Sequence, residues 1–399
     1  MAQFTKIVEE ALEAFESGLF PNKAQAAKAI SKKYGYNNSE TIRKSINKLE
    51  KRLKHRALKE ECETNGISFE DVKHYWWKGK HFSAFVKEDA ESINYPEVIS
   101  SIVESYLPKQ SITIEQEELG DYKAIKATLS DMHVGLNPNP NNKSLFSYQY
   151  NEEIFKSNLN KVFSSILKER LHNGKFDLLI IDDLGDGLDG WNGETTRGGH
   201  KLDQNMDNET AFKVFVEGKL ELIEKCISAG IANEILIRNV SNDNHSGSFA
   251  SIANMTIKMI LNRTYSEENV KFYILDKFME HFKYGNHTFI LTHGKDNKFM
   301  FRGLPYELND KAIGFINDYI DHYDINTKYI HLEKGDLHRV GYSRTKKFDY
   351  RNYMSFAPPS AWVQHNFGDC YSGYSIQIIP KFTGEISHTD YYFELNKSL

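Results

Sequence analysis

Cysteine is scarce: Cys62, Cys226 and Cys370 are the three in 399 residues, they lie far apart, and no CxxC occurs. That excludes a disulfide framework and a zinc-ribbon site, and fits a reducing cytoplasm. No apolar run approaches the roughly 20 residues that a membrane-spanning helix needs, so no membrane role is expected. The opening segment MAQFTKIVEEALEAF is amphipathic and acidic and lacks the apolar stretch of a signal peptide. Internal repeats and low-complexity tracts are missing too. What is present, 40% hydrophobic and 13% aromatic, is enough to fold most of the chain, and the length suits two or three domains.

The net charge of −5 hides an asymmetry. Asn22 to Lys59 holds twelve Lys/Arg against two Asp/Glu, so the rest of the chain carries 38 basic and 53 acidic residues. A basic head on an acidic body points to one surface for a polyanion and another for cations.

Residues 1–60 read as helices. Ile7, Ala11 and Phe15 recur at helical spacing, Ala26, Ala27 and Ile30 mark a second helix ending at Gly35, and Asn37, Asn38 and Ser39 are cap residues for a third. The third carries Ile42, Ile46, Leu49 and Leu53 on one stripe, giving the plan of a helix-turn-helix. Off that stripe lie Thr41, Arg43, Lys44, Asn47, Lys48 and Lys51, a basic hydrogen-bonding face suited to DNA. Residues 61–118 form a connecting region, in which VKHYWWKGKHFSAFVK (72–87) reads as a small sheet or hairpin. Its Trp76 and Trp77 read first as core, and second as stacking partners for bases.

From about residue 119 the pattern becomes strand–helix alternation, the signature of a layered α/β domain. Strand-like runs cover Ala124 to Leu129, Asp177 to Ile181, Glu234 to Val240, Thr288 to Thr292 and Tyr329 to Leu332. Helical segments at 151–171 and 209–229 lie between. A short polar motif follows each strand: LSDMHVG with Asp131 and His133, LGDGLDG with Asp186 and Asp189, SNDNHSG with Asn244 and His245, LTHGK with His293, and KGDLHRV with Asp336 and His338. Ligands of open α/β sheets bind beyond the carboxyl ends of strands, so these residues can converge. Singly each motif is common, and a lone His at a strand end is more often structural. Together they make a mixed oxygen and nitrogen donor set suited to divalent first-row metals.

In order and type the set resembles the calcineurin-like metallophosphoesterases, whose motifs run DxH, GDxx(D/N), GNH(D/E), a lone His and GHxH. The resemblance spans roughly residues 120–340. It implies a β-sandwich flanked by helices with two divalent metal ions at one edge. By motif, Asp131, His133, Asp186 and His338 would hold the first ion. Asp186 would bridge to the second, completed by Asn244, His293 and Asp336, and His245 would protonate the leaving oxygen. Two departures stand out. Ser246 occupies the place of the usual acid, with Asp243 as a compensating candidate. Asp336 replaces an imidazole, which makes the second site harder and favours Mn²⁺, ahead of Mg²⁺, Fe²⁺ or Zn²⁺. A looser resemblance, including the aromatic-basic segment, is to phage-encoded members of the superfamily, which would place the chain in a host cytoplasm. The segment WNGETTRGGHKLDQNMDN (191–208) reads as an active-site loop offering Arg197, His200 and Lys201 to substrate phosphates.

The residues are compatible with three functions. The first is a metal-dependent DNA nuclease or phosphodiesterase, analogous to Mre11/SbcD-type exonucleases. The second is a phosphomonoesterase for a nucleotide or phosphoprotein. The third is a non-enzymatic DNA-binding protein on a decayed phosphatase fold.

Overall fold

The computed structural model describes residues 2–36, 38–46, 49, 74–78, 83–87, 95–105, 114–296 and 303–394. The chain divides into two compact units, Met1–Ile93 and Asn94–Leu399, so the expected 61–118 connector is shared between them.

In the first unit, α1 (Ala2–Glu16), α2 (Lys23–Lys33) and α3 (residues 39–46) pack around Ile7, Ala11, Ile30, Ile42 and Ile46. Asn22 caps α2 by accepting from the Gln25 amide, and Asn38 does the same for Thr41 at the start of α3. Arg43 is engaged by Glu40, one turn earlier, through two hydrogen bonds of 2.8 and 2.6 Å. Lys44 lies on the same helix, whereas Asn47, Lys48 and Lys51 lie outside the described residues. β1 (His74–Lys78) and β2 (Ser83–Lys87) form an antiparallel pair within the segment read as a small sheet or hairpin.

The second unit begins with α4 (Tyr95–Ser105) and is built from two sheets packed face to face. The strands of the first sheet are β3 (Lys123–Leu129), β4 (Phe176–Asp183), β5 (Ala232–Val240), β6 (Val270–Leu275), β12 (Gly373–Pro380) and β13 (Ser387–Tyr392). Their spatial order is β13-β12-β3-β4-β5-β6, with β3 to β6 parallel. The second sheet uses β7 (Glu280–Tyr284), β8 (His287–Thr292), β9 (Tyr329–Lys334), β10 (Gly341–Arg344) and β11 (Asp349–Asn352) in the order β10-β11-β9-β8-β7. Here β8, β9 and β11 are parallel. Among the described helices, α5 (Glu152–Asn173), α6 (Asn208–Ser228) and α7 (Ser248–Thr264) belong with the first sheet. α8 (Asp310–His322) covers the outer face of the second with Ile316 and Ile320, and α9 (Ala361–Phe367) is a short helix before β12. The architecture is therefore a layered α/β sandwich, α-β-β-α. No described helix is long and apolar enough to cross a membrane.

The near-continuous apolar runs of β3 to β5 follow from burial on both faces. Ile125, Ala127, Ile181 and Ile237 alternate with Ala124, Leu178, Ile180 and Leu236, and the latter set meets Phe289 and Tyr284 of the second sheet. Nearer the carboxyl ends the layer between the sheets becomes charged. Lys126 pairs with Glu333 and lies 3.6 Å from Asp182, which binds Arg238 bidentately at 2.7 and 2.6 Å. Gly218 lets α6 approach α5, since a Cβ there would stand 2.8 Å from the Phe155 ring.

Candidate metal centre

The parallel register aligns Leu129, Asp183 and Asn239 in one sheet, and Thr292 with Lys334 in the other. Every chemical motif thus starts from the same edge of the sandwich. Asp131, His133, Asp186, Asn244 and His245 come from the first sheet, and His293, Asp336 and His338 from the second. The loops after β3 and β4 are zipped together: Asp131 N–H donates to Gly185 O, His133 N–H to Asp186 O and Val134 N–H to Gly187 O. This pairing holds Asp131, His133 and Asp186 at φ of 53°, 41° and 50°. Asp336 and His338 likewise have φ of 70° and 52°. Non-glycine residues rarely adopt this left-handed region, and such residues cluster where function demands a fixed side-chain direction.

The structure brings all seven sequence-predicted metal residues together. The Asp131 carboxylate Oδ1 lies 3.3 Å from His338 Nε2 and 4.0 Å from His133 Nε2. The two imidazole Nε2 atoms are 3.3 Å apart, and His133 Nε2 is 4.0 Å from Asp186 Oδ2. From the other side, His293 Nε2 is 3.1 Å from Asp186 Oδ2, 3.1 Å from Asn244 Oδ1 and 4.0 Å from Asp336 Oδ1. Ligands about 2.1 Å from a common tetrahedral ion lie about 3.4 Å from each other, so these separations fit cations. Asp186 Oδ2 is the atom the two sets share. Among the described residues, three metal-capable groups overlap here: Asp131/His133/His338, His133/Asp186/His245 and Asp131/Asp186/His293.

Proton positions supply a second test of fit. His293 Nδ1 faces the Leu184 carbonyl at 2.9 Å and must donate to it. Its Nε2 then faces two oxygen acceptors with a bare lone pair unless a proton or a cation intervenes. His133 Nδ1 meets Asp189 Oδ1 at 3.0 Å, which turns Nε2 toward Asp131 and Asp186. Asp131 Oδ1 is buried without a hydrogen-bond partner. A cation shared by these groups answers each of these mismatches.

Electrostatics agree. Burial alone would push the Asp131 carboxyl up, but the imidazoles of His338 and His293 hold it down at about 2. Burial would lower His293, yet the charges of Asp186, Asp131 and Asp336 lift it to about 10. His245 is raised to about 9 against burial by Asp186 and Asp189. The pocket therefore draws positive charge, and cations would compete with imidazole protons for it.

Asp189 is the residue whose role the sequence does not reveal, although its motif is plain. Besides orienting His133, its Oδ1 lies 3.5 Å from His245 Nδ1. Partners of this kind tune ligand orientation, so Asp189→Asn is expected to weaken metal affinity about 10- to 100-fold, read by titration calorimetry. Asp243 does a different job from the compensation expected of it. It accepts from the amides of Ser246 (2.8 Å) and Gly247 (2.9 Å) and from Ser246 Oγ, and so fixes the turn carrying Asn244 and His245. Burial and the nearby Asp186 raise it to about 7. Gly335 is required by close approach: a Cβ would stand 2.1 Å from Ser130 Oγ and 2.9 Å from Asp131 Oδ2.

The 191–208 loop lies over the same turn, with Thr196 N–H donating to His245 O and Arg197 N–H to Asn244 O. The Arg197 guanidinium is engaged by Asp296, at 2.9 Å to the carboxylate and 2.8 Å to the carbonyl. It thus braces the loop against the segment after His293. His200 and Lys201 are exposed and belong to none of the metal-capable groups.

The sequence matches no protein-family model and none of the curated proteins. It is similar to solved structures over about two-thirds of its length. These include zinc-bound Vps29 from Entamoeba histolytica (12% identity, 68% of this chain and 99% of that chain, TM-score 0.28). An archaeal phosphodiesterase is similar at 10% identity, 67% of this chain and 99% of that chain, with a TM-score of 0.31. A predicted phosphoesterase from Streptococcus pneumoniae is similar at 12% identity, 67% and 98%, with a TM-score of 0.24.

Proposed function

We propose that the chain is a metal-dependent phosphoesterase of calcineurin-like type that hydrolyses phosphodiesters, with DNA as the substrate class. The observation that carries this is the convergence of two donor sets on Asp186 Oδ2 from strand ends of two sheets. Asp131, His133, Asp186 and His338 would hold one divalent ion, and Asp186, Asn244, His293 and Asp336 the other. Such a pair lowers the pKa of a bound water and clamps phosphoryl oxygens. The chain's own part is positional and protonic. Asp186 is fixed by the His245 amide, which donates to Oδ1 at 3.1 Å. Asn244 adds a donor oxygen with no charge. The His245 side chain is partly open to solvent and lies 3.5 Å from Asp189 Oδ1, a placement from which an imidazole can give a proton to a leaving oxygen.

His245→Ala is therefore expected to lower kcat about 10²- to 10⁴-fold, most for substrates with poor leaving groups, while metal affinity persists. Loss of metal in this variant would instead make His245 a ligand, consistent with its grouping with His133 and Asp186. The deciding assay compares DNA, bis-p-nitrophenyl phosphate and p-nitrophenyl phosphate, each with Mn²⁺, Mg²⁺, Zn²⁺ or chelator. Mn²⁺-dependent cleavage of DNA and the diester supports the proposal. Cleavage of the monoester alone shifts it to a phosphomonoesterase, and no cleavage with any metal ends it.

The basic head supports DNA as the substrate. Replacing Arg43 and Lys44 by Ala should reduce the slope of log affinity against log salt by about 0.9 for every phosphate no longer neutralised. An unchanged slope would make this helix an ordinary solvated face.

A further inference from the structure

A second feature lies beside the metal centre. α9 follows a segment whose Phe356 and Ala357 amides donate to Ser130 O and Asp131 O, so the chain leads to it directly from the site. Its own position is fixed by Gln364, which is 1% exposed. That carboxamide accepts from the Phe146 amide at 2.7 Å and donates to Pro359 O at 3.0 Å. Yet this clamped helix presents its aromatics outward: Trp362 is 64% exposed and Phe367 is 42% exposed. The two rings meet edge to face at 5.5 Å. Arg339, the residue after His338, lays its guanidinium over Phe367 at 4.7 Å and donates to the Phe367 carbonyl at 3.3 Å.

Large aromatics held outward on a fixed helix leave apolar area in water unless something covers it in use. We propose that Trp362, Phe367 and Arg339 form a stacking platform for an unpaired nucleobase of a polynucleotide whose neighbouring phosphate enters the metal centre. The occupant follows from the chemistry of the patch. Every base has a flat π-face that stacks on aromatic side chains, and an arginine beside them adds attraction to the base and to backbone phosphate. The step from Arg339 to His338 places that binding next to the phosphoester chemistry. The proposal rests on the phosphodiesterase reading for where the phosphate goes, and it makes single-stranded ends or frayed strands the preferred form of substrate.

The test uses the full chain in excess chelator, so that nothing is cleaved, and measures fluorescence anisotropy of a labelled oligothymidylate and of an abasic strand of equal length and charge. Wild type should bind the base-bearing strand about tenfold tighter, the equivalent of one stacked base. Trp362→Ala should abolish that preference, and Trp362→Phe should keep most of it. Because Trp362 is mostly exposed, an unaltered melting transition will show that the Ala variant is folded. A preference that survives Trp362→Ala overturns the proposal, as does wild type binding both strands equally. So does sedimentation showing that the patch is the interface between two copies of the chain. Hydrolysis of bis-p-nitrophenyl phosphate with Mn²⁺ is scored separately. A base preference without hydrolysis would remove the phosphodiesterase reading and leave the platform, and hydrolysis without base preference would do the reverse.

Discussion

Asp186→Asn should abolish hydrolysis, with a fall of about 10³-fold or more, and should reduce the metal content of the protein at the same time. The size of the effect follows from position. Asp186 Oδ2 lies 4.0 Å from His133 Nε2 and 3.1 Å from His293 Nε2, so loss of its charge is felt by both donor sets. Its carboxyl is held well below the usual range, burial notwithstanding, mainly by His293 and His245. An amide in its place would leave those imidazoles without their principal counter-charge. Elemental analysis after dialysis and a rate measurement on a small diester check the two halves together. A variant that keeps both its metal and its rate would show that the two sets do not share Asp186.

The second large effect is on stability. Lys126→Met should destabilise the larger unit by about 3–5 kcal/mol, because it strands the buried Glu333 carboxylate between the sheets. In calorimetry this corresponds to a fall of roughly 10 °C in the melting transition. Lys126→Met combined with Glu333→Gln should recover most of the loss, since a neutral amide can still accept from Tyr353, which now donates to Glu333 at 2.7 Å. The same pair predicts an acid limb. Burial would raise the Glu333 carboxyl, but Lys126 and Tyr353 bring it below its ordinary value. A folded value below the unfolded one gives stability that is present above the unfolded pKa, about 4.3, and lost as the pH falls through the folded one. Wild type should therefore lose stability on acidification below about pH 4.3, and the double variant should lose less.

How much of the molecule is legible in the sequence depends on burial. The strands β3, β4, β5, β8 and β9 are buried on both faces, so each leaves a mainly apolar stretch, broken where a paired polar residue such as Lys126, Arg238 or His331 intervenes, that marks it to within a few residues of its ends. By contrast β7 (EHFKY), β10 (GYSR) and β13 (SHTDYY) are edge strands with alternating exposure, and such short polar segments carry no comparable signal. The site residues are legible because they sit immediately after the readable strands. The partner relations are not. That Asp189 turns His133, that Asp243 ties the Asn244 turn, and that Asp296 takes Arg197 are relations that no spacing rule encodes, and the first and last of them join loops distant in sequence.

The two donor sets draw on both sheets: Asp131, His133, Asp186 and Asn244 on one, His293, Asp336 and His338 on the other. A cation bound among them would therefore act as a rivet across the sandwich as well as a reagent. Any shear of one sheet over the other would part the donors before it disturbed either sheet's own ladder. Occupancy would then hold the layers in alignment, and a cation at about 100 times its dissociation constant adds about 2.7 kcal/mol to the folded state. The atoms that would hold the cation and the atoms that would resist sliding are the same set.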